Sequence, residues 1–178
     1  MIKTISSNDI KLTSEQIERL YNLMIFAYAQ TEIEIWGHDY IRMYKDKYLE
    51  ILKEEGLLIA LIGDEIVGSV YVYPLSDTEY GFGLLNADFA LAGKGIGSSL
   101  VQAAENYARQ KGAQTIKIEI LRPKDFIVAS KEILKEWYLK FNYSFVETTD
   151  FLTLKPTEIE KSKRMVNPSV FDTYEKDL

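Results

Sequence analysis

Three glycines stand at alternate positions in Ala92-Gly93-Lys94-Gly95-Ile96-Gly97, between the short apolar run Leu84 to Ala87 and a helical pattern that begins at Ile96. Glycines at a helix N-terminus leave backbone N–H groups uncovered by any Cβ, and the helix dipole favours negative charge there. The combination suits a phosphate or pyrophosphate held by the amides of Gly93 through Ser98, with Lys94 adding a point charge. The same glycines also suit a turn that needs positive φ angles and nothing else. Spacing removes two commoner phosphate motifs. A G-x-x-x-x-G-K-[ST] loop fails because Gly95 follows Lys94, and a dinucleotide fingerprint fails because Gly93 to Gly97 reads G-x-G-x-G.

Two absences narrow the chemistry further. The chain has no Cys, which excludes disulfides, Cys-type zinc and iron–sulfur centres and thiol nucleophiles. It has one His, His38, so a His-rich metal site is excluded and a Ser–His–Asp triad would have to run through that residue. No metal is expected. The 21 Lys and Arg against 27 Asp and Glu give a net charge of −6 and a pI near 5.0, which argues against a nucleic-acid partner because nothing would drive counterion release. No apolar run is long enough for a membrane span, and MIKTISSNDIK lacks the greasy stretch of a signal peptide, so a cytoplasmic protein with no membrane partner is expected.

The elements that must position these groups follow from periodicity. The 178 residues suit one domain, 1–178, without repeats or linkers. Met1 to Ser6 reads as a strand. Thr13-Ser14-Glu15-Gln16 has capping-box spacing ahead of the stripe Ile17, Leu20, Tyr21, Met24, Tyr28. A second helix is expected from Asp39 to Glu55, with Gly56 as its left-handed cap. Leu57 to Ile62 and Ile66 to Tyr73 form a hairpin over Gly63-Asp64-Glu65, and Tyr80 to Ala87 is a further strand. After the glycine helix, Gln114 to Leu121 alternates cleanly as a strand. Ser130 to Phe141 is a helix, Tyr143 to Phe151 a strand, Pro156 to Pro168 a polar loop and Val170 to Tyr174 a last strand. The expected fold is α/β (α+β): a mixed central sheet of six or seven strands flanked by about four helices.

A strand, then [QR]-x-x-G-x-[GA], then a helix is the acetyl-CoA signature of the GCN5-related N-acetyltransferase (GNAT) family. Ala92 to Gly97 resembles the common R-G-K-G-I-G form in five of six positions, the departure being Ala92. Trp137-Tyr138-Leu139-Lys140-Phe141-Asn142-Tyr143 is similar to the family's Y-x-x-x-G-[FY] pattern, with Asn142 for Gly. The family's Asn seven residues before that Tyr is replaced by Lys131. The order of elements resembles the family over roughly residues 1 to 150.

The resemblance implies an acetyl-CoA-dependent N-acetyltransferase acting on a small-molecule or peptide amine, by direct transfer in a ternary complex. It implies that backbone groups of Leu85, Asn86 and Ala87 pair with the pantetheine arm, and that Gly93, Lys94, Gly95, Ile96, Gly97 and Ser98 hold the pyrophosphate. Tyr138 would protonate the departing thiolate. The general base often sits on the strand before the loop, but the matching position is Gly81. Glu79, two residues earlier on the same strand face, and Glu119 on the neighbouring strand are the candidates. His38 has a suitable intrinsic pKa and lies with Glu32, Glu34, Trp36 and Asp39 in the segment that borders the acceptor cleft in relatives. That acid cluster suits a cationic amine or a solvated turn. The missing Glu, Asn and Arg or Gln also fit a non-catalytic acyl-CoA-binding or regulatory domain on the same fold. Dimers through the C-terminal strands are common in the family, so a homodimer is an expectation.

Overall fold

The computed structural model describes all 178 residues. Seven strands form one mixed sheet in the order β1-β2-β3-β4-β5-β7-β6. They are β1 Ile2–Ser6, β2 Leu57–Ile62, β3 Glu65–Pro74, β4 Glu79–Ala87, β5 Thr115–Pro123, β6 Ser144–Asp150 and β7 Ser169–Asp177. The helices are α1 Ser14–Thr31, α2 Ile33–Trp36, α3 Lys45–Ile51, α4 Ile96–Gln110, α5 Ala129–Lys140, α6 Phe151–Leu154 and α7 Ile159–Ser162. Of the seven, α1, α3, α4 and α5 have seven residues or more, and the others are single turns of four. Four helices of real length is what periodicity led one to expect, since a single turn carries no period to read. The chain divides into two compact units, Met1–Tyr28 with Ile41–Ile116 and Leu178, and Ala29–Tyr40 with Lys117–Asp177.

In the first unit the capping box forms as its spacing requires. The Gln16 amide donates to Thr13 Oγ1 at 3.1 Å, and the Thr13 amide donates to Gln16 Oε1 at 3.0 Å. This fixes the start of α1, which buries Leu20, Leu23, Met24 and Ala27. Leu20, Leu23 and Met24 meet Tyr48, Leu57, Ile59, Leu61 and Leu84 in the core of this unit. The strands β1 to β4 are antiparallel neighbours, and the β2–β3 hairpin turns tightly over Gly63, whose φ is +60°.

The expected helix over 39–55 is much shorter, and Gly56 is not its left-handed cap. Asp39 has φ +63°, which no helix continues through, and helix begins only at Lys45. Gly56 answers to crowding instead: a Cβ there would lie 1.9 Å from the Val72 carbonyl oxygen, and Gly56 O accepts from Val72 N at 2.8 Å.

In the second unit Ile35, Trp36, Tyr40, Leu121, Phe151 and Phe171 make a separate core. Trp36 stacks on Tyr40 with centroids 4.7 Å apart, and Phe151 stacks on Phe171 at 5.4 Å. The segment expected as a loop over 156–168 contains α7, and Phe151 opens α6 rather than ending a strand. Its far end is tied to α2: Val166 N donates to Ile35 O at 2.8 Å, and Asn167 Nδ2 donates to Glu34 O at 2.7 Å.

Candidate functional site

The run from β4 into α4 is built to bare its backbone. Gly93 and Gly95 both have φ +81°, and a Cβ added to either would meet nothing within 4 Å. Conformation therefore requires glycine at these two positions, and the face they present is open. Gly95 caps α4, whose first intrahelical bond runs from Ser99 N to Gly95 O at 3.0 Å. The amides of Ile96, Gly97 and Ser98 precede that bond and have no acceptor in the helix. No acidic residue stands in the first turn, and Lys94 is exposed. The two sequence readings thus hold together: a left-handed turn that also presents several N–H groups to an anion.

Asp88 holds this loop in place. Its Oδ1 accepts from Ala90 N at 2.9 Å, its Oδ2 meets Arg19 Nη2 at 2.5 Å, and its own amide donates to Val67 O at 2.8 Å. Arg19 reaches across from α1 and also donates from Nε to Ile66 O at 3.3 Å. The Ala90 amide, with Arg19 behind it, holds the Asp88 carboxyl below the usual carboxylate range.

Just before the loop, β4 bulges. Ser69 faces Asn86 and Tyr71 faces Gly83, so β4 spends one residue more than β3 over this interval. Leu84 carries the strain, with φ +52°. The Asn86 side chain pins it. Its Nδ2 donates to Leu84 O at 2.8 Å and to Ser69 Oγ at 2.9 Å, while its buried Oδ1 has no partner within the chain. Leu85 and Ala87 flank Asn86, half-buried. Gly68 lets the strands approach closely here, since a Cβ on it would lie 2.5 Å from Asn86 O. Tyr48 is buried in the same core, and burial pushes its phenol up to about 12 against the opposing pull of the Ser69 hydroxyl.

The acid–base candidates divide between the two units, Glu79 in the first and His38, Glu119 and Tyr138 in the second. Glu79 opens β4, its amide donating to Ser76 Oγ at 3.1 Å, and five residues of strand, roughly 17 Å, separate it from Leu84. The Tyr73 ring lies beside Gly81: a Cβ there would come within 2.9 Å of the far end of that ring, which would have to shift to admit a side chain. Glu119 is ion-paired with Lys155 at 3.0 Å, and His38 is exposed. Tyr138 belongs to the second unit, is 5% exposed, and packs edge-on against Trp137 and Tyr143.

Sequence reasoning missed one charged cluster, all of it in the second unit. Lys131 is buried and lies 3.6 Å from Glu32 Oε1, and Glu32 Oε2 accepts from Trp36 Nε1 at 3.0 Å. Arg122 grips Asp172 through Nε at 2.5 Å and Nη2 at 3.1 Å, and Thr148 Oγ1 donates to the same carboxylate at 2.7 Å. The Asp172 carboxylate raises the Arg122 pKa further. The only signal in the sequence was the Glu32–Trp36 spacing, one helical turn apart.

Pocket size does not locate the loop. A pocket of about 450 Å³ in the first unit is lined by Thr4, Ser6, Ala103, Asn106, Tyr107 and Lys111, beginning two turns along α4 from the glycines. No group of three or more His, Asp or Glu side chains comes together to hold a metal ion, and no helix is long and apolar enough to cross a membrane.

Residues 17–126 match the family model described as the Acetyltransferase (GNAT) family. Among solved structures, the chain is similar to Ard1 from Thermoplasma volcanium, with a TM-score of 0.67 and 16% identity over 99% of this chain and 97% of that one. It is similar to an agmatine N-acetyltransferase, with a TM-score of 0.68 and 13% identity over 99% of both chains. It is also similar to a GNAT family acetyltransferase from Elizabethkingia anophelis with acetyl-CoA bound, with a TM-score of 0.65 and 14% identity over 99% and 98%. No curated protein matches the sequence significantly.

Proposed function

Because the chain belongs to the GNAT acetyltransferase family, we propose that it transfers the acetyl group of acetyl-CoA to the amine of a small molecule or peptide, as a single domain over 1–178. The observation that carries this reading is the set of uncovered amides at the start of α4, behind two left-handed glycines. Gly93 to Ser98 take the pyrophosphate, Lys94 adds its charge, and the β4 backbone at Leu85, Asn86 and Ala87 pairs with the pantetheine arm. The acceptor nitrogen attacks the thioester carbonyl carbon, its C–S bond breaks, and no enzyme-bound acyl group forms on sulfur because there is no Cys. Glu79 takes the proton from the amine, and Tyr138 returns one to the thiolate. Acetyl-CoA-bound and amine-specific relatives of the same fold support this assignment.

Glycine at position 81 in place of a glutamate, together with Lys131 in place of the family's Asn, favours a second reading, an acyl-CoA-binding or regulatory domain without turnover. Calorimetric titration with acetyl-CoA and CoA, followed by an amine panel, separates them. Micromolar binding with turnover is expected. Tyr138→Phe should lower kcat about 100-fold while leaving the dissociation constant unchanged. Binding without turnover selects the second reading, and no binding removes both. We also propose a cytoplasmic protein, on the lack of Cys, with no nucleic-acid partner at a net charge of −6. The edge strand β6 exposes Phe145 and Val146, which supports a homodimer through the C-terminal strands, testable by sedimentation.

A further inference from the structure

The end of β5 and the first two turns of α5 enclose a pocket of about 220 Å³ in the second unit. Lys131 lines it with a side chain only 8% exposed, and its sole charged partner, Glu32, stands 3.6 Å away, beyond hydrogen-bonding distance. An ammonium has three N–H donors, and none of these makes a hydrogen bond within the chain. The ammonium borders the pocket with donors to spare beyond this one ion pair, so a ligand carboxylate can add a closer partner.

The other walls say what kind of ligand. Arg122 and Asp172 are spent on each other and on Thr148, so they form a rigid polar wall rather than a free charge. Glu132, paired with Lys135 at 3.3 Å and 43% exposed, is the carboxylate still able to turn toward an incoming cation. Phe126 and Ile127 are 45% and 80% exposed and give the pocket an apolar side. The lining carries three cations, Arg122, Lys131 and Lys135, against two carboxylates, Asp172 and Glu132; with Arg122 and Asp172 paired to each other, a molecule with one carboxylate and one ammonium meets Lys131 at one end and Glu132 at the other.

We propose that this pocket binds an amino acid with an apolar side chain, its carboxylate on Lys131, its ammonium toward Glu132 and its side chain on Phe126 and Ile127. The binding does not rest on the acetyl-transfer reading, because it is measured without acetyl-CoA. Calorimetry with leucine, with its decarboxylated amine and with the acid lacking its amine is the test. Leucine should bind, and each half-ligand should bind at least about tenfold more weakly. Lys131→Met should lower leucine affinity by at least about tenfold. The double variant Glu32→Gln with Lys131→Met, which leaves no charge stranded, should lose affinity equally while remaining folded by circular dichroism. No leucine binding at millimolar concentration, equal binding of the amine, or undiminished binding by the folded double variant would overturn the site. Adding acetyl-CoA separates the two sources of such a ligand: N-acetyl-leucine in the mass spectrum marks an acceptor, and unmodified bound leucine marks an effector, both supporting the pocket.

Discussion

In the first unit the surface offered to an anion is main chain: the amides after Gly93 and Gly95, and a strand whose bulge is held by one asparagine. In the second unit the polar surface is side chain: Lys131 with Glu32, and Arg122 with Asp172. Main-chain recognition needs a few residues that permit a conformation and is indifferent to most others. This explains how the loop keeps its geometry with Ala92 in a position where relatives carry Gln or Arg. Side-chain recognition needs particular partners drawn from distant parts of the chain, and each loss strands a charge.

The contrast can be broken at several depths. Glu32→Gln leaves the Lys131 ammonium buried without an acid, and should cost about 3–5 kcal/mol in urea unfolding, most of it recovered when Lys131→Met is added. Gly95→Arg tests the opposite region. Forcing an L-residue to φ +81° should cost about 1–2 kcal/mol of stability, and the side chain should weaken acetyl-CoA binding about 100-fold by calorimetry. Unchanged affinity would mean that the glycines serve only the turn.

Asn86→Ala should separate function from stability. It frees the strained Leu84 bulge, so acetyl-CoA affinity should fall about tenfold, yet it also removes the unpartnered Oδ1, so stability should move by only about 1 kcal/mol. The smallest effect concerns pH. Because the folded Asp88 carboxyl lies below its ordinary value, its contribution is present above about pH 4 and is lost as pH falls through the depressed value. The urea-stability gap between the native chain and Asp88→Asn should therefore hold constant near neutrality and narrow below about pH 4.

The glycine loop was legible because residue type there dictates backbone conformation directly, as was the capping box at Thr13 and Gln16. The bulge was not, because Leu84 gives no hint of a positive φ, and its cause is a side chain two residues on. The helix expected over 39–55 failed where tertiary contacts took over: Tyr40 stacks on Trp36 and Asp39 turns left-handed. Gly56 looked like a cap because chain position suggested one, whereas the Val72 carbonyl that demands it lies on another strand. Lys131 reads in sequence only as a departure from the family's Asn, since nothing local announces that Glu32, about a hundred residues earlier, pairs with it. Tyr138 was legible through its place in a pattern similar to the family's, and Glu79 only through sharing a strand face with Gly81, the position that matches the family's base.

The docking of α2 onto the segment before β7 has a consequence for how the molecule is made. The bond from Asn167 to Glu34 spans 133 residues, and Ile35 and Trp36 find their cover only when that later segment has left the ribosome. At about 5–20 residues per second, these apolar side chains wait on the order of ten seconds in the nascent chain. Over that interval α2 is a sticky, unfinished end of α1, and a chaperone that shields short apolar stretches would find its best foothold there.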